Sequence, residues 1–93
     1  MSDINVVLIE DHDLTRIGLR TALKQQSGIQ VMGEAANATQ GLRVLDEKQP
    51  DVAVVDIGLP DMDGIELTQR FRQLQAEKEN TKTKVLILTM HDS

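Results

Sequence analysis

The sequence predicts an α/β fold, a parallel sheet wound with helices on both faces. Three observations carry that reading. Apolar runs at residues 6–9, 52–55 and 84–90 are short, rich in β-branched side chains and bounded by turn signals, as buried strands of a parallel sheet are. Segments of helical periodicity alternate with these runs. The runs at 6–9 and 52–55 lead straight into carboxylates, Glu10-Asp11 and Asp56. Those acids therefore sit at the C-terminal edge of the sheet, where open α/β folds bind ligands.

In chain order, the first strand ends on Glu10-Asp11-His12-Asp13. A helix follows over about residues 14–26, with Leu14, Ile17, Leu19, Ala22 and Leu23 as a broad apolar stripe. Gly18 in its middle predicts close packing against the sheet. Residues 29–35, IQVMGEA, read as a weaker strand interrupted by Gly33, suited to an edge. Asn37 and Gln40 have the spacing of a capping box, and Ala38, Gly41, Leu42 and Leu45 then form one face of a second helix. Gln49-Pro50-Asp51 ends it and leads into the strand at 52–56. After the LPDMDG turn, Asp63 and Glu66 repeat the capping spacing, and Leu67, Phe71 and Leu74 give a third helix its buried face. Residues 75–83 are polar, a loop or frayed helix end, before the last strand. The order β-α-β-α-β-α-β implies parallel strands and right-handed crossovers.

At 93 residues the chain is one domain. Hydrophobic content is 40% with one Phe and no Trp or Tyr, so Val, Ile, Leu and Met must build the core. A net charge of −5 without a basic block argues against direct binding of nucleic acid or an anionic membrane surface. The absence of Cys excludes disulfides, thiolate metal sites and cysteine nucleophiles. The polar start does not read as a signal peptide, and no apolar run approaches the ~18 residues that span a bilayer. A soluble, cytoplasmic protein is expected.

If the first, third and fourth strands are neighbours, Glu10, Asp11, Asp56 and Thr89 line one edge. Crowded carboxylates repel, and a cation relieves them. Hard oxygen donors suit Mg²⁺ or Mn²⁺. A carboxylate beside such a cation can attack phosphorus in line. Asp13 and Asp63 read as helix N-caps, Asp61 as a solvated loop acid, and His12 and His91 as surface residues without a third zinc ligand. An EF-hand reading of DMDG fails, because it puts Leu59 at the first ligand position and Arg70 at the last.

LIEDHDLTRIGLRTAL, VVDIGLPDMDGIEL and LILTM together resemble the CheY-like receiver domain of bacterial two-component response regulators, most closely the subgroup joined to a LuxR-type helix-turn-helix. The resemblance covers the whole chain. It implies a flavodoxin-like doubly wound sheet in the order 2-1-3-4. It implies that Asp56 accepts a phosphoryl group from a histidine kinase or small phosphodonor. Asp11, the Asp56 carboxylate and the Gly58 carbonyl would hold Mg²⁺, with Glu10 reaching it through water. Thr89 would hydrogen-bond the phosphoryl oxygen, and Pro60 and Gly64 would shape the loop into the third helix. Such a domain catalyses its own phosphorylation, is not a turnover enzyme, and controls transcription through an output domain.

Residues 1–93 depart from that pattern as a truncated receiver. The family's fifth strand, with its phosphate-binding Lys, and the last two helices are not in the sequence. Lys82 and Lys84 precede the fourth strand, at the wrong edge to substitute. A vestigial receiver serving as an interaction module is one alternative. An aspartate-nucleophile phosphohydrolase is another, though such enzymes usually carry a second Asp where Gly58 stands. The fourth strand is apolar and free of Pro, so self-association through it is expected.

Overall fold

The computed structural model describes residues 3–80 and 82–88. Its elements run β1 (Ile4–Ile9), α1 (Asp13–Lys24), β2 (Ile29–Ala35), α2 (Ala38–Lys48), β3 (Val52–Asp56), α3 (Gly64–Glu77) and β4 (Lys84–Leu88). The four strands are parallel and ordered β2-β1-β3-β4, the flavodoxin-like arrangement that the resemblance implied.

Successive strand side chains point to opposite faces, so the apolar runs of β1 and β3 feed two cores at once. On one face Val7, Ile9, Ala53 and Val55 pack against Ala38 and Leu45 of α2 and Leu67 and Phe71 of α3. On the other, Val6, Leu8 and Val54 meet Leu19 and Leu23 of α1. The central position of β1 and β3 explains why their runs are unbroken: Val6 through Ile9 are all nearly inaccessible to solvent.

α1 differs from expectation. Its apolar stripe splits, with Leu19 and Leu23 against the sheet while Leu14 (85% exposed) and Ile17 (43%) face solvent. No α1 residue is buried. Gly18 lies on the outer side, where an added Cβ would meet nothing within 4 Å, so it does not mark close packing. The helix starts one residue earlier than expected, with His12 at the cap position and no side-chain cap bond; Asp13 is already helical.

β2 is an edge strand, as expected, but Gly33 does not interrupt it. The register against β1 instead slips at Met32: Val6 pairs with Val31 and Val7 with Gly33. This bulge has a use. It turns Glu34 to the α1 side, opposite Leu8, where Arg16 and Arg20 meet it; Arg20 Nη1 donates to Glu34 Oε2 at 3.0 Å. At the far edge, Asp51 ties three strand starts together: its Oδ2 accepts from Asn5 N–H (2.8 Å) and its carbonyl from Lys84 N–H (2.9 Å).

Candidate metal centre and acceptor carboxylate

Because β1 and β3 are adjacent and in register, the residues that end them are adjacent too. Glu10 and Asp56 are 3% and 7% exposed, and Asp11 is half-buried. Glu10, Asp11, His12 and Asp56 each offer a ligand atom, all within 4.8 Å of one another. The three acids that the sequence assigned to a common site are together. His12 joins them, although the sequence placed it only at the surface; its ring is largely exposed, yet Nδ1 lies 3.3 Å from both Glu10 Oε1 and Asp11 Oδ1.

The cluster is electrostatically incomplete. Glu10 Oε2 and Asp11 Oδ1 are buried without a hydrogen-bond donor, since the approach of His12 to Asp11 has the distance of an ion pair but not the geometry of a hydrogen bond. Burial first, then the neighbouring Asp56 carboxyl, raises the Glu10 pKa from its ordinary 4.5 to about 7; the Asp11 charge adds to this and the His12 contact opposes it. Two ionised carboxylates cannot donate to each other. A proton or a cation must sit between them, and the all-oxygen donor set of the acids suits a hard divalent ion. The residues therefore fit Mg²⁺ or Mn²⁺.

Local contacts hold the site open. The Gly58 N–H donates to Asp56 Oδ1 at 3.3 Å, turning the loop after β3 back over the acceptor. Leu59 is buried in the α2–α3 core and anchors that loop. Gly64 N–H closes it onto the Ile57 carbonyl (2.9 Å), and Asp63 Oδ1 caps α3 by accepting from Glu66 N–H (2.8 Å). Gly64 permits the closure: a Cβ there would stand 2.9 Å from the Asp56 carbonyl oxygen. Thr89 and His91 lie outside the described residues.

Three placements escape the sequence. Arg16 Nη1 donates to the Glu10 carbonyl (2.7 Å) and Nη2 to Asp13 Oδ1 (2.7 Å), so a half-buried guanidinium fixes the acidic loop. Asp13 pairs with that arginine instead of capping α1. Asp61 is not a plain solvated acid, because its carboxylate accepts from the start of α2. A groove of about 600 Å³ between the end of α3 and the start of β4 lies at the opposite edge from the acids and takes no part in this site.

Residues 6–93 match the response regulator receiver domain family. The chain belongs to that family. The receiver is 40% identical over 86 residues to the transcriptional regulatory protein LiaR of Bacillus subtilis, covering 92% of this chain but 38% of LiaR. The receiver thus spans about two-fifths of the length of that relative. Among solved structures it is similar to the receiver domain of the response regulator NarL from Mycobacterium tuberculosis (TM-score 0.88, 31% identity, 100% of this chain and 71% of that one). It is also similar to a LuxR-family two-component response regulator from Aurantimonas (TM-score 0.85, 35% identity, 99% and 62%).

Proposed function

We propose that this receiver accepts a phosphoryl group on Asp56 from a histidine kinase and passes the signal to a transcriptional output domain of a longer protein. The observation that carries the reading is the pair of donorless buried carboxylate oxygens, on Glu10 and Asp11, beside Asp56 at the sheet edge. Asp56 acts as nucleophile: a carboxylate oxygen forms the bond to phosphorus as the phosphorus–nitrogen bond of the donor phosphohistidine breaks, and the imidazole leaves with the electron pair. Asp11, Asp56 and the Gly58 carbonyl would hold Mg²⁺ or Mn²⁺, with Glu10 completing the acidic set around it. What the bound cation supplies is neutralisation of the acids and of the incoming phosphoryl oxygens. Glu10 and Asp11 set the charge that selects the cation, Arg16 fixes their loop, and the Gly58 N–H orients the acceptor. Thr89, the residue after Leu88 in the sequence, takes a phosphoryl oxygen in this reading. The domain carries one phosphoryl group per molecule and does not turn over. The relatives' description as transcriptional regulators supports the output assignment, and such a phosphorelay places the protein in the cytoplasm.

Incubation with acetyl phosphate and Mg²⁺, followed by intact mass, tests this. The expected result is a single phosphoryl adduct that EDTA abolishes and Asp56→Asn removes. An adduct that persists in Asp56→Asn puts the acceptor elsewhere. Steady release of phosphate from metabolite esters, with no trapped adduct, supports a phosphohydrolase instead.

A further inference from the structure

Asp61 makes more contacts to another element than any reading of the LPDMDG turn requires. Its Oδ1 accepts from Ala38 N–H at 2.7 Å, and its Oδ2 accepts from Thr39 N–H at 2.9 Å and the Thr39 hydroxyl at 2.8 Å. α2 already has its own cap, since Asn37 Oδ1 accepts from Gln40 N–H at 2.8 Å. Asp61, from 23 residues away, takes two other first-turn N–H groups that Asn37 leaves open, so it completes the helix start as well. The same bonds also act on the loop. The segment 57–63 is closed at its base by Gly64 and anchored by Leu59; its outer half meets the rest of the fold through the packing of Met62 and the hydrogen bonds of Asp61. α2 starts three residues after Ala35, whose carbonyl accepts from Glu10 N–H at 3.0 Å. The loop bearing Gly58 is thereby tied, through α2 and the end of β2, to the loop bearing Glu10 and Asp11.

We infer that Asp61 is a positioning residue, a strap from the β3–α3 loop to the start of α2 that holds the Gly58 backbone and Asp56 in register with Glu10 and Asp11 for cation binding. The inference rests on the cation-dependent reading of the site. The strap is built to persist: although burial alone would raise the Asp61 pKa, the bonds from Ala38 and Thr39 outweigh it and lower the pKa from 3.8 to about 2. The carboxylate is thus ionised, with both oxygens accepting, at any pH where the protein works.

Mn²⁺ affinity, read from the free-ion resonance in titrations of the full chain, tests this with Asp61→Ala, Asp61→Asn and Asn37→Ala side by side. Asn37→Ala removes the cap of the same helix without touching the loop, so it controls for a purely structural effect. The expected result is a loss of about 10-fold or more in Mn²⁺ affinity for both Asp61 variants, and a change within about twofold for Asn37→Ala. Thr39→Ala, which removes one of the three bonds, should fall between them and serves if Asp61→Ala does not fold. Equal losses in the Asp61 and Asn37 variants, or none in Asp61→Asn, overturn the inference while leaving the proposed function intact. A wild-type chain that binds no Mn²⁺ overturns both.

Discussion

Glu10 holds a proton more tightly in the folded chain than in the unfolded one, because burial and the Asp56 carboxyl raise its pKa from 4.5 to about 7. Between those values the folded state carries the extra proton, so stability falls as pH rises through the interval. Glu10→Gln removes the titration. In urea unfolding without divalent ions, that variant should match the wild type near pH 4.5 and exceed it at pH 8 by about 1–3 kcal/mol. Mg²⁺ should narrow the gap by stabilising the ionised wild type, by about 2.7 kcal/mol at one hundred times its dissociation constant. A wild-type stability that is flat from pH 5 to 8 would remove Glu10 from the electrostatic account. Asp61 has the opposite sign: its contribution is complete above about pH 3.8 and is lost as pH falls toward 2. At this scale the sequence showed the acids, since Glu10, Asp11 and Asp56 each interrupt an apolar run. It could not show Asp61 or Arg16 at work, because their partners are set by the packing of α2 and by the turn of the β1–α1 loop.

Two glycines separate what an element's pattern reveals from what it hides. Gly64 opens α3 against the backbone of Asp56 and Ile57, and a Cβ would lie 2.9 and 3.0 Å from backbone atoms that cannot rotate away. Gly64→Ala should therefore destabilise the chain by about 1–3 kcal/mol, and it should shift the acceptor with it. Gly18 sits in α1 with nothing near it, so Gly18→Ala should stabilise by about 0.5–1 kcal/mol through helix propensity alone. Thermal melts of the two variants should move in opposite directions, and a Gly18→Ala chain less stable than wild type would mean that α1 packs more closely than described. Strand and helix positions were legible because periods of two and 3.6 residues differ so clearly. The contact face of α1 was not. Leu14 and Ile17 are as apolar as Leu19 and Leu23, and only the position of the helix over β1 and β2 decides which pair meets the sheet.

At the scale of the whole molecule the parallel order β2-β1-β3-β4 follows from short connections and right-handed crossovers, so topology was the most legible feature of all. Coverage of the sheet is less even. α2 and α3 cover one face, whereas α1 lies over β1 and β2, leaving Leu86 of β4 54% exposed on the other. Among the described residues no strand pairs with the outer edge of β4, and its sequence from Val85 to Leu88 carries no charge or proline to discourage pairing. The 93-residue polypeptide on its own should therefore associate with a second copy through β4, whose free N–H and C=O groups and exposed leucine offer both hydrogen bonds and apolar area. Sedimentation over a hundredfold range of concentration should show the association, and Leu86→Lys should shift it toward monomer by placing a charge on the bare face. Lys24→Glu, on α1, should leave it unchanged. A folded monomer throughout that range would mean that the twist of this short edge already suffices to keep copies apart.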